Sequence, residues 1–182
     1  MKLGDEQLDL DAIDRHILSL LQENCRLPLA KIGDQVGLSA PAVIERVKKL
    51  EDSGVITGYH AVLNGRLLGI DIAAFIGVSI GHPKAIGAFE KAMDAMDGVL
   101  ECHHVTGRHT LLLKVKTQNT SSLEDLIRRI RSLDGVVQTE TMVVLSTHTE
   151  SLQLVLDDDA GPSAKRGRRN GAEKAALHLK GV

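Results

Sequence analysis

The chain has 182 residues, 43% apolar and 25% charged, with a formal net charge of −2. That composition supplies a hydrophobic core and excludes a wholly disordered, collagenous or disulfide-scaffold protein. Cys25 and Cys102 alone give no disulfide framework, no run approaches the roughly 20 apolar residues of a membrane helix, and Tyr59, Phe75 and Phe89 are too few for base-stacking platforms.

The first elements read as helices. Leu10, Ile13, Ile17, Leu20 and Leu21 recur at helical spacing, with Asp11 as N-cap and Asp14 in the first turn. Pro28 opens a second helix carrying Leu29, Ile32 and Val36, and Gly37 stops it. Ser39 is placed to cap a third, with Val43, Val47 and Leu50 on its buried side and Gly54 at its end. Residues 55–63 are β-prone, so the pattern predicts three helices and a β element: a winged helix-turn-helix over 9–60, followed by a linker over 61–69.

The period then changes. Ile70–Ile80 is an apolar, β-branched run, and Ile86, Phe89, Met93 and Met96 follow at helical spacing. Val99–Thr106 and Leu111–Thr117 read as strands joined at Gly107-Arg108-His109. Leu123, Leu126, Ile127 and Ile130 form another helical stripe, and Val136–Thr147 a last strand. The order βαββαβ is that of a ferredoxin-like domain, here over 70–150, and the fold class is α+β. Beyond the end of that strand, within 151–182, residues 157–182 are small and charged, which predicts a disordered tail.

Charge does not announce a partner. Residues 1–60 carry seven Lys/Arg against ten Asp/Glu, and only the tail leans basic, through Lys165-Arg166-Gly167-Arg168-Arg169. A basic tail tethered to a DNA-binding domain would add sequence-independent affinity for phosphates. The start, Met1-Lys2-Leu3-Gly4-Asp5-Glu6, is acidic and lacks an apolar stretch, so a cytoplasmic location is expected.

Candidate chemistry sits in two places. On the third helix, Pro41, Glu45, Lys48 and Lys49 point away from the buried side and Arg46 flanks them. Lysine and arginine reach phosphates or guanine edges, Glu45 suits cytosine N4, and Ser39 with the free amides of a helix N-terminus suits a phosphate. Pattern alone also fits a solvated helix surface. The histidines near Cys102 (His103, His104 and His109) do not converge from one strand and lack a ligand spacing, so no metal or other cofactor is expected. Phosphate-loop, dinucleotide, zinc-protease and nucleophile-elbow motifs are missing, and Asp94 with Asp97 or Glu124 with Asp125 read as surface charges.

Asp11-Ala12-Ile13-Asp14-Arg15-His16-Ile17-Leu18, Arg26, Gly37-Leu38-Ser39 and the run Arg46 to Tyr59 resemble the Lrp/AsnC (feast/famine) family of transcription regulators. The similarity continues through Leu68-Gly69 and the βαββαβ region. It implies sequence-specific binding of double-stranded DNA and a ferredoxin-like (RAM-type) domain that binds effectors and oligomerises. It also implies a homodimer, often built into tetramers or octamers, and amino acids as the usual effectors. The alternative is a ferredoxin-like sensor or enzyme whose helical appendage does not bind DNA.

The family's ligand-side turn matches Thr106, Gly107, Arg108, His109 and Thr110, with Thr110 where an acid is usual. That departure removes a carboxylate for an ammonium group, so the reading favours an anionic effector over a neutral amino acid. Ile70–Ile80 and Val136–Thr147 carry apolar residues at odd and even positions alike, which predicts that both sheet faces are buried, the second by a two-fold partner.

Overall fold

Helix α1 (Ala12–Glu23) starts where Asp11 accepts the Asp14 amide at 2.7 Å, in a computed structural model that describes residues 9–156. The second helix, α2 (Leu29–Val36), begins after Pro28 and ends at Gly37, whose φ of 72° is the left-handed conformation that favours glycine. Helix α3 (Ala40–Asp52) follows after a short turn. Their apolar faces meet in one core of Ile17, Leu18, Leu21, Ile32, Val43, Val47 and Leu50. Burying each such side chain contributes about 1.5–3 kcal/mol. Gly33 lets the turn close: a Cβ there would overlap the Leu38 carbonyl oxygen.

The β element expected over 55–63 is absent. The Ile56 amide turns back to the Leu50 carbonyl at 3.0 Å, and Val62 and Leu63 are exposed. β-Branched residues form a strand only where a neighbour supplies ladder partners, and this segment has none among the described residues. The helix-turn-helix is therefore present without a β wing.

The second half comprises β1 (Ile72–Ile80), α4 (Ile86–Asp94), β2 (Val99–His104), β3 (Leu111–Thr117), α5 (Thr120–Arg131) and β4 (Val136–Val143). The sheet is antiparallel with order β2-β3-β1-β4, the ferredoxin-like arrangement. Ala74, Ile76, Val78, Leu111, Leu113 and Val115 face Phe89, Met93 and Met96 on one side of the core and Leu123, Leu126 and Ile130 on the other. A reciprocal cap between Asn119 and Ser122 opens α5.

Three strands are shorter than the sequence predicts. Ile70 is held by a 2.8 Å bond to Gly65, Val105 closes the hairpin onto Thr110, and β4 ends at Val143 with one further bond, from the Val144 amide to the Ala73 carbonyl at 2.9 Å. Among the described residues the chain divides into two units, residues 9–59 with 152–156, and His60–Ser151.

Register assigns the helix-free face. Phe75 pairs with Lys114 and Met142, Gly77 with Leu112 and Glu140, Ser79 with Gln138, and His103 with Leu112. Within the single chain this face is open, Met142 being 46% exposed, so the expected burial of both faces is not met by one copy alone.

Candidate functional site

The outward face of α3 carries Pro41, Ile44, Glu45 and Lys48 at spacings of three and four, with Lys49 beside them, and all five are exposed. Glu45, Lys48 and Lys49 make no ion pair among the described residues. Ser39 occupies the N-cap, yet its hydroxyl makes no cap bond, unlike the sequence expectation. That leaves the hydroxyl and first-turn amides open to an anion. Ile44 is 51% exposed in the middle of this face. Sequence reasoning passed over it, although its place off the Val43–Val47–Leu50 stripe carried the signal. An exposed apolar side chain there suits a thymine methyl.

Arg46 is elsewhere. Its Nη1 lies 2.6 Å from Asp11 Oδ2 and 2.7 Å from Asp14 Oδ1. Asp14 is buried, so the guanidinium supplies its charge partner and ties α3 to the start of α1. The Asp14 amide and then Arg46 hold the Asp11 carboxyl below its ordinary range, and both acids push Arg46 further up. Expected beside the outward face, Arg46 is instead a strut within the helical unit, because a near-buried carboxylate needs a cation. Tyr59 similarly donates to Glu51 at 2.8 Å, and its phenol is pushed up to about 12, by burial first and then by that carboxylate.

The second place is the turn between β2 and β3. The Val105 amide bonds Thr110 O at 3.1 Å, and the Thr110 amide bonds Val78 O at 2.9 Å. Thr110 Oγ1 accepts the Ile80 amide at 3.1 Å, beside the register shift between Ser79 and Ile80. Its polar atom thus ties the turn to β1. Gly107 has φ 116°, which explains the glycine, while Thr106 and Arg108 are exposed.

His109 folds over the helix-free face. Its Nε2 is 2.9 Å from Glu140 Oε2 and its Nδ1 is 3.4 Å from Ser79 Oγ. A Cβ at position 77 would overlap the imidazole, so Gly77 is the space the ring occupies. One neutral tautomer serves both contacts, Nε2–H donating to Glu140 and Nδ1 accepting from Ser79. Arg108 Nη1 also reaches Glu140 Oε2, at 3.5 Å. Glu140 was absent from the sequence candidates because only the β1–β4 register brings it to the turn.

At the far side of the same face, Lys114 Nζ lies 3.1 Å from Glu101 and 2.6 Å from Glu150. His103 and then Lys114 hold Glu101 down, and Lys114 holds Glu150 down. Cys102 packs against the core, and burial pushes its thiol up. No group of three or more His, Cys, Asp or Glu among the described residues is arranged to hold a metal.

The AsnC-type helix-turn-helix domain matches residues 10–51, and the Lrp/AsnC ligand binding domain matches residues 73–154. The chain is 35% identical over 150 residues to the HTH-type transcriptional regulator FL11 of Pyrococcus abyssi, covering 81% of this chain and 97% of that one. The chain belongs to the Lrp/AsnC family. This Lrp/AsnC chain is also 35% identical over 151 residues to the leucine-responsive regulatory protein of Escherichia coli K12, covering 81% of it and 92% of the relative. A crystal structure of the Neisseria meningitidis transcriptional regulator NMB0573 in complex with L-Met aligns with TM-score 0.78 and 30% identity, over 81% of this chain and 97% of the other.

As an Lrp/AsnC protein it is a DNA-binding transcription regulator and not an enzyme, which sets aside the reading of a sensor or enzyme without DNA binding. No helix among the described residues is long and apolar enough to cross a membrane. The basic cluster Lys165–Arg169 lies outside the described residues.

Proposed function

We propose that this Lrp/AsnC regulator acts in the cytoplasm as a two-fold homodimer that reads double-stranded DNA with α3 and answers to a small molecule at the β2–β3 turn. The DNA-binding domain then spans 9–60, the linker 61–69 and the effector domain 70–150. The observation that carries the reading is the outward face of α3, whose charges have no ionic partner among the described residues. Lys48 and Lys49 supply phosphate or guanine contacts, Glu45 and Ile44 meet base edges, and Ser39 with Pro41 brings the helix N-terminus to a phosphate. Arg46 contributes by fixing the helix.

The open sheet face supports the dimer: Phe75, Leu112 and Met142 are apolar, and the charges around them are paired, Glu140 with Arg108 and Lys114 with Glu101 and Glu150. Two copies related by a two-fold axis would present two α3 helices to a palindromic site. The turn Thr106–Gly107–Arg108–His109–Thr110 is the effector element, with the L-Met complex of the Neisseria relative supporting an amino acid as its ligand.

Mobility shift on duplex DNA with excess nonspecific competitor tests the first part. Retained complex is expected for the wild-type chain, and its loss for a folded Lys48→Ala, Lys49→Ala variant. Full operator affinity in that variant would end the assignment of α3. Sedimentation at micromolar concentration tests the dimer, and a stable monomer would refute it.

A further inference from the structure

The chain leaves the sheet unit and returns to the helical unit through a short segment that is fastened at both ends. On the sheet side, Glu150 Oε1 lies 2.6 Å from Lys114 Nζ. On the helical side, the Gln22 side chain meets the Leu154 peptide twice: Oε1 accepts its amide at 2.7 Å, and Nε2–H donates to its carbonyl at 3.2 Å. Gln153 Nε2 donates at 3.2 Å to the Gln22 carbonyl, one of the terminal carbonyls of α1 that lack a partner within the helix. Leu156 then packs against the helical core. Leu152, Leu154 and Val155 are exposed, so these polar contacts and Leu156, rather than general burial, hold the segment.

We propose that residues 150–156 are a strap that carries the state of the ligand-binding domain to the DNA-reading helix, with Gln22 as the positioning residue that receives it. The inference rests on α3 being the DNA-contacting element, as proposed above. The length of the segment supports it. Only Ser151, Leu152 and Gln153 stand between the two anchors, and four peptide steps reach about 14 Å at full stretch. The other connection runs from Tyr59, which is tied to Glu51, through residues 60–71 to β1. Slack in that longer connection absorbs a displacement that the shorter one passes on.

What the strap pulls on supports it equally. Helix α1 is a stiff element about 18 Å long, and its two ends hold different things. Its last turn holds the strap through Gln22, and its start holds α3, where Arg46 meets Asp11 at 2.6 Å and Asp14 at 2.7 Å. Between those ends Ile17, Leu18 and Leu21 share one core with Val43, Val47 and Leu50 of α3. Gln22 suits the role because an amide side chain offers a donor and an acceptor to the same peptide. Neither anchor is fully buried, so each opens at small cost. A change in the ligand-binding domain that takes Lys114 from Glu150 frees the strap and α1 with it. With the strap closed, α1 and α3 are seated before DNA arrives; with it open, binding must remove the regained freedom, and operator affinity falls.

Operator affinity of the full-length chain, measured by mobility shift, tests the strap as a double-variant cycle. Glu150→Gln opens the sheet-side anchor and Gln22→Ala the helix-side one. Each is expected to weaken operator binding by about threefold or more, and the double variant no more than the stronger single, because both cut the same connection. Charge alone gives the reverse for Glu150→Gln, since loss of a negative charge favours binding to a polyanion. Glu101→Gln takes the other carboxylate from Lys114, leaves the strap in place and should not weaken binding. Wild-type affinity in Glu150→Gln would overturn the strap, and that residue lies outside the helical unit, so the result does not depend on the helices folding. Losses that multiply in the double variant would overturn it too, as the mark of separate local effects or of a weakened dimer. So would a loss in Glu101→Gln equal to that in Glu150→Gln. The cycle needs only a chain that binds DNA, so failure of Lys48 and Lys49 as contacts would leave it readable.

Discussion

The outward face of α3 and the helix-free face of the sheet are both exposed and both charged, yet they treat their charges oppositely. On α3, Glu45, Lys48 and Lys49 have no ionic partner among the described residues. On the sheet, Lys114 is shared between Glu101 and Glu150, and Glu140 is met by Arg108 and His109. A face that meets a polyanion gains most by leaving its cations unpaired, since DNA phosphates supply the partner and release counterions. Were the sheet face covered by a second copy, as proposed, its charges would have to be neutralised beforehand, because an unpaired charge is costly to bury. Arg46 obeys the second rule although it sits on α3, because its partner Asp14 is buried.

Breaking the scaffold under α3 is expected to give the largest effect. Gly33→Ala drives a Cβ into the Leu38 carbonyl and should destabilise the helical unit by about 3 kcal/mol. Thermal unfolding followed by circular dichroism checks it, and an unchanged transition would show that the turn adapts freely.

Arg46→Ala comes next, at about 2 kcal/mol, from leaving the Asp14 carboxylate without its cation. The salt dependence of DNA affinity should keep its slope, since a strut neutralises no phosphate. A slope reduced by a full phosphate contact would return Arg46 to the DNA-reading set. The double variant with Asp14→Asn should recover part of the lost stability.

Lys48→Ala and Lys49→Ala should behave in the opposite way. Stability should stay within about 0.5 kcal/mol of wild type, as for surface sites without partners. The logarithmic salt slope of DNA binding should fall by about 0.9 for each phosphate contact removed. Lys114→Ala is the control from the other face, expected to leave that slope unchanged.

The smallest effect concerns pH. Glu101 is held below its ordinary value by His103 first and Lys114 second, and Glu150 by Lys114. A carboxylate with a depressed folded-state pKa contributes stability that is present above its unfolded value and lost as pH falls through the folded one. The sheet unit should therefore weaken as pH drops below the ordinary 4.5 of these acids. Both side chains are more than a third exposed, so after solvent screening the change is at most about 1 kcal/mol. Lys114→Met should flatten this dependence in acid unfolding curves, and an unaltered curve would show that the pairs contribute nothing.

Local chemistry made most of the elements readable. Asp11 announces α1, Pro28 and Gly37 bracket α2, and the stripe Val43–Val47–Leu50 gives both the buried and the outward side of α3. The alternation of Leu111, Leu113 and Val115 shows in the same way which side of β3 meets the helices. Residues 55–63 misled because β propensity describes a fit to a neighbouring strand, and none is present among the described residues. Ile44 was legible in principle, since helical period alone puts it off the buried stripe.

Spacings within a turn or a strand already mark α1–α5, β1–β4, their order and the outward residues of α3, although they also suggest a strand over 55–63 that does not form. Which distant polar groups meet follows instead from packing and register. Arg46 meets Asp11 and Asp14 across 35 and 32 residues, and His109 meets Glu140 across 31. Such pairs depend on helix packing and strand register, which bring distant residues within hydrogen-bond reach without leaving a periodic trace along the chain. Thr110 shows the consequence: as a letter it is a missing acid, whereas in the fold its hydroxyl holds the Ile80 amide and the carboxylate at the turn belongs to Glu140.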